Sequence, residues 1–134
     1  MNTNGKITKK IDTKVLLSTL WIVVMINMLK ADILSLYIPG AAEEVAKTAG
    51  ETPITQLMLG GAIMMEISIV MIILSRVLKF RVNRWANIIT SLITIAFVWG
   101  GASPDPHYIF IAAVETICLL LIIWNAWRWS EQDA

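Results

Sequence analysis

The sequence predicts an all-α integral membrane protein: one domain over residues 1–134, folded as a four-helix bundle with both termini in the cytoplasm. Three observations predict it. First, 57% of the residues are hydrophobic and only 16% are charged, with a mean hydropathy of +0.69. A soluble domain of this size needs more charge to cover its surface, whereas a bilayer tolerates an apolar exterior. Second, four apolar runs, at about 15–37, 55–77, 85–103 and 107–129, each come close to the roughly 20 residues that cross about 30 Å of hydrocarbon as a helix. Third, the basic residues are segregated between the two sets of loops.

The first run follows a basic stretch (Lys6, Lys9, Lys10, Lys14) like that of a signal peptide. Its apolar core is too long for one, however, and it carries Trp21, Lys30 and Asp32 without a small-residue cleavage pattern, so it reads as a retained span. The loop after it, "IPGAAEEVAKTAGETP" (38–53), contains a short surface helix over "GAAEEVAKTAG", with acids toward its start and Gly50 as its stop. The second and third runs are joined by "RVLKFRVNRW", and the third and fourth by "GGASPDPH", whose glycines and prolines exclude helix.

Orientation follows from the loops, because short basic segments stay on the cytoplasmic side. Lys6, Lys9, Lys10, Lys14, Arg76, Lys79, Arg81, Arg84 and Arg128 fall on one side, and only Lys30 and Lys47 fall toward the other. The expected location is the cytoplasmic (inner) membrane. Trp85, Trp127 and Trp129 then lie at the cytoplasmic interface, and Tyr37, Trp99 and Tyr108 near the outer one, where amphipathic rings prefer to sit. Arg76, Lys79, Arg81 and Arg84 are placed to grip anionic lipid head groups.

Several classes are excluded. A net charge of +1 lacks the basic face of a nucleic-acid binder. The single cysteine, Cys118, makes no internal disulfide, CxxC pair or cysteine-rich zinc site. No cofactor or metal site is expected: His107, alone at the outer turn, reads as a surface residue, the alternative being a weak metal site or pH sensor with Asp105.

The stretches "LWIVVMINMLKADILSLYIPG", "LSRVLKFRVNRWANII" and "WNAWRW" resemble a family of small bacterial four-span membrane proteins classified only as a domain of unknown function. The resemblance covers about residues 15–129, with "RVNRWANI" its most specific part. It implies a membrane bundle and a bacterial origin, and brings no activity and no site residues. In layout alone the chain is also similar to DoxX-like and EXPERA-type proteins.

The chemistry centres on acids inside the apolar runs. Glu66 interrupts "GGAIMMEISIVMIIL" at the middle of its span, where an acid costs at least ~2.5 kcal/mol unless paired, protonated or hydrated. It is expected to face the bundle. Glu115 lies roughly 4.5 Å outward of the midplane, and Asp32 about 9 Å outward, at the helical rise of 1.5 Å. "AIMMEISIVMII" and "AAVETICLLLII" echo each other, so two parallel hairpins would bring Glu66 and Glu115 to similar depth. Asn27, Asn87, Ser91, Thr94 and Trp21 complete a polar seam, with Lys30 as counter-ion. The alternative is purely structural, since serines and threonines in membrane helices often bond their own backbone and a buried glutamate can simply donate a hydrogen bond.

The expected function is therefore an outward-opening acidic cavity, formed by Glu66, Glu115 and Asp32, that binds a proton, a cation or an amphiphilic small molecule. Two other classes stand beside it: an accessory subunit without a site of its own, and an isomerase-type enzyme using Glu66 and Glu115 as acid and base beside Trp21 or Trp99. The expected partners are the lipid bilayer, a lipid or amphiphile, and a second copy or another membrane protein.

Overall fold

The computed structural model describes residues 11–101 and 104–131. Lys6, Lys9 and Lys10 of the basic stretch, and Ala102 and Ser103 of the third loop, lie outside the described residues. Among those described, the chain forms five α-helices and no strand: α1 (Thr13–Ser35), α2 (Ala41–Ala49), α3 (Ile54–Val77), α4 (Phe80–Gly100) and α5 (Pro106–Arg128).

Local chemistry sets most of the boundaries. The Asp12 side chain accepts the Lys14 N–H at 3.1 Å, satisfying one of the orphan donors that open α1. Gly40, at φ 80°, turns the chain into α2 through left-handed backbone that glycine adopts without strain. Glu43 and Glu44 then occupy the first turn of α2, where they complement the helix dipole. Gly50, at φ 58°, ends it. Pro53 precedes α3 and Pro106 opens α5, positions where a missing N–H costs nothing. Apolarity alone places the start of the third span near residue 85. The helix instead begins at Phe80, because "FRVNRW" contains no breaker, leaving only Leu78 and Lys79 between α3 and α4.

Helix α1 packs against α3 and α5, and α4 packs against α5 and, less extensively, α3. Thus α1 and α4 stand at opposite corners, as do α3 and α5, while α2 rests mainly on α3. The inward row of α1 is Leu17, Trp21, Val24, Met28 and Ala31, the alternating four-and-three spacing of shallowly crossed helices. It meets Met71 of α3, Ile88 of α4, and Cys118, Leu119, Ile122 and Ala126 of α5.

By length and composition α1, α3 and α5 can cross a membrane. Helix α4 has the length, at 21 residues, but is more polar. Its polarity is hidden: Asn83, Asn87, Ser91 and Thr94 are all fully buried, and Ile89, Leu92, Ile93 and Phe97 face outward.

Three helices are locked together by a buried polar cluster. Asn87 Oδ1 accepts from Trp21 Nε1 at 2.8 Å and from Ser75 Oγ at 3.2 Å. Its Nδ2 donates to the Asn83 carbonyl at 2.9 Å and to Asn83 Oδ1 at 2.6 Å. Asn83 Nδ2 in turn donates to the Ser75 carbonyl at 2.7 Å. Ser18 Oγ donates to the Ile72 carbonyl at 2.8 Å and accepts from Arg76 Nε at 3.0 Å. Asn87 thereby uses both of its amide donors and accepts twice.

Asn87→Ala strands the buried Trp21 N–H and Ser75 hydroxyl. It is expected to lower stability by about 2–4 kcal/mol, between the small mean value of interhelical bonds in membranes and the full cost of orphaned donors. Thr94→Val, which removes only a bond to the helix's own backbone, should cost less than about 1 kcal/mol. Thermal unfolding in mild detergent checks this, and equal losses for the two variants would remove Asn87 from its structural role.

Candidate functional site

The inward stripe of α5 runs Ile111, Ala112, Glu115, Cys118, Leu119, Ile122 and Ala126. It is apolar except for Glu115, which is 3% exposed. Among the described residues its Oε1 has no hydrogen-bond partner, and the buried Ser91 Oγ of α4 has none either. Phe80 packs edge-on against Trp129 at one end of the α4–α5 pair, and Tyr108 Oη donates to the Val98 carbonyl at 3.2 Å at the other. Trp99 Nε1 also donates to Oγ1 of Thr116, beside Glu115 in sequence, at 2.9 Å. The adjacent helices α4 and α5 thus each carry a buried polar side chain without a partner among the described residues, although buried polar atoms nearly always find partners.

Toward the end of the molecule that carries α2, Lys30 and Asp32 of α1 are exposed. Both lie within electrostatic reach of Glu115, and Tyr108 lies within reach of Glu115 and Asp32. His107 Nε2 lies 3.2 Å from Ser35 Oγ, so the residue read as an isolated surface histidine in fact ties the start of α5 to the end of α1.

Glu66 does not join this group, and its expected inward orientation is corrected. The side chain is exposed on the outer surface of α3. The inward row of α3 is Ser68, Met71 and Ser75, and Ser68 is two residues from Glu66, about 200° around the helix. Because α3 and α5 also stand at opposite corners, Glu66 and Glu115 do not form the expected acid–base pair. Two surface grooves, of about 520 and 490 Å³, are lined by Ile117 to Trp127 on α5 and by Thr52 to Met64 with Phe97, and neither includes Glu66, Glu115 or Asp32.

The polar seam separates into parts. Asn87 and Trp21 belong to the structural cluster. Asn27 Nδ2 donates to the Val23 carbonyl at 2.9 Å and Thr94 Oγ1 to the Thr90 carbonyl at 2.7 Å, each within its own helix. Of the expected seam, Ser91 keeps a hydroxyl that is unbonded among the described residues. Among the basic residues, Lys79 and Arg81 are exposed and Arg76 is engaged by Ser18. Trp129, read as an interface residue, is 4% exposed and belongs to the core.

Sequence reasoning missed Ser68, Ser75 and Asn83. The available signal was their spacing: Ser68 and Ser75 are seven apart in an otherwise apolar run, and Asn83 precedes Asn87 by one turn.

Residues 6–134 match a family described as a family of unknown function, DUF6326. The chain belongs to the DUF6326 family. The match spans all five helices, the buried cluster and Glu115. No curated protein and no solved structure matches the chain.

Proposed function

We propose that this is a four-span protein of the bacterial inner membrane, with both termini cytoplasmic, that holds a proton or a cation at Glu115. The observation that carries the reading is the Glu115 carboxyl oxygen, buried and without a partner among the described residues. A carboxylate in that position is costly unless something neutralises it. A proton does so directly and turns the acid into a hydrogen-bond donor, and a small cation does so by charge. Asp32 and Lys30, exposed above it, form the route of approach, and a cationic amphiphile would enter head first past them. Passage of α4 through the bilayer is supported by the burial of its whole polar row.

Nothing in the fold depends on the ionisable oxygen of Glu115, so Glu115→Gln should fold and melt within about 1 kcal/mol of the parent. Infrared difference spectra between mildly acidic and mildly alkaline buffer should contain a protonated-carboxyl band that disappears in Glu115→Gln and persists in Glu66→Gln. A spectrum without such a band, or one lost only in Glu66→Gln, would remove Glu115 as the site.

One observation favours a second reading, self-association. Leu59, Ile63, Val70, Ile73 and Val77 are 40–66% exposed and, with exposed Glu66, fall at alternating four- and three-residue spacing along α3. An acid facing lipid at mid-span costs at least ~2.5 kcal/mol, whereas a two-fold axis along the bundle would bring Glu66 of two copies together at one depth to share a proton. Single cysteines at Val70 or Ile73 should then cross-link between copies in membranes much faster than one at the exposed Ile117 of α5. Equal rates would count against a dimer through α3.

A further inference from the structure

A different face carries a separate site, one that does not rest on Glu115. Ile117, Leu120, Leu121, Trp124 and Trp127 stand 44–59% exposed on α5 and, with Ile123, line an apolar groove of about 520 Å³. From Ile117 to Arg128 this stripe covers eleven steps, about 16 Å at the helical rise, which is close to half the ~30 Å hydrocarbon thickness of a bilayer. Its length therefore suits a lipid chain in one leaflet.

The groove ends between two arginines. The Arg84 guanidinium carbon lies 5.4 Å from the Trp127 ring centroid and 6.0 Å from that of Trp85, with Nη2 donating to the Trp127 carbonyl at 3.2 Å. The Arg128 guanidinium carbon lies 5.4 Å from the Trp124 ring centroid. Trp124 and Trp127 are one turn apart and both line the groove, so the two cations are set at the same end of it. An indole holds a guanidinium by its face; at Arg84, where Nε is buried and Nη2 bonds the Trp127 carbonyl, this leaves Nη1 for a phosphate, and at Arg128 it leaves the edge donors.

From this juxtaposition we infer that the outer face of α5 is a binding site for an anionic phospholipid, its chain in the Ile117–Trp127 groove and its phosphate between Arg84 and Arg128. The two positive charges and the apolar trough complement the two halves of such a molecule. A zwitterionic lipid fits the trough equally well but gains less at the arginines. Lys79 and Arg81, exposed at the turn into α4, lie off the groove, whose tryptophans pair with Arg84 and Arg128.

The test is native mass spectrometry of the whole chain in mild detergent, loaded with equal amounts of phosphatidylglycerol and phosphatidylcholine of identical chains. Wild type should retain phosphatidylglycerol preferentially by roughly tenfold or more, each arginine contributing about fivefold. Arg84→Gln/Arg128→Gln should bring the ratio close to one, and Lys79→Gln/Arg81→Gln, which removes the same charge, should leave it unchanged. Because Arg84 also bonds Trp127, Arg128→Gln alone serves as a second variant and should cut the preference about fivefold. Leu121→Trp, which fills the groove with both arginines in place, should lower phosphatidylglycerol retention. Equal retention of the two lipids by wild type, equal loss in the Lys79/Arg81 variant, or full retention in Leu121→Trp would each overturn the site.

Discussion

A polar group inside a membrane bundle has no water to return to, so each one must find its partner within the protein. Asn87 meets that requirement on all sides, accepting from α1 and α3 while donating within α4. The rest of the arrangement depends on this junction. It turns the polar row of α4 inward, so that a helix too polar to present to lipid on every side presents an apolar surface. It also brings Ser75 inward, and with it Ser68, which fixes the rotation of α3 about its own axis. That rotation sends Glu66 to the outside.

The two mid-span glutamates therefore have opposite circumstances despite similar sequence surroundings. Glu115 is buried, with a carboxyl oxygen that has no partner among the described residues. Glu66 is exposed, and any partner it has must come from another molecule. An enclosed acid that no internal bond requires is a poor choice for stability, since an apolar residue of similar volume would cost nothing to bury. The buried Asn87 cluster is the contrasting case, in which every polar atom of the asparagine is used and the benefit is structural.

Much of the fold was legible in the sequence. The apolar runs locate α1, α3 and α5 to within two residues, and Gly40, Gly50, Pro53 and Pro106 mark their joints. "GAAEEVAKTAG" announces α2 through its early acids and closing glycine. The start of α4 was not legible, because Arg81 and Arg84 look like loop residues by charge although they are good helix formers. The direction of Glu66 was hidden for a deeper reason. Helix α3 is apolar on every side, so periodicity gives it no inner face, and only Ser68 and Ser75 carried that information. In α5 the same ambiguity happened to resolve inward for Glu115. Trp129 was misread because aromatic residues at a helix end serve equally as interface anchors and as core, and only Phe80, from the other end of the chain's last hairpin, decides between them.

The central claim is that a helix rich in buried amides and hydroxyls crosses the membrane because its neighbours satisfy or enclose its polar row. The most direct measurement is the sidedness of its two ends. Cysteines introduced singly at Val82 and at Gly101, both exposed, should react with a membrane-impermeant maleimide from opposite faces of the membrane, with the native Cys118 shielded in the core. Labelling of both positions from the same face would contradict the account, because α4 would then lie along the membrane instead of through it.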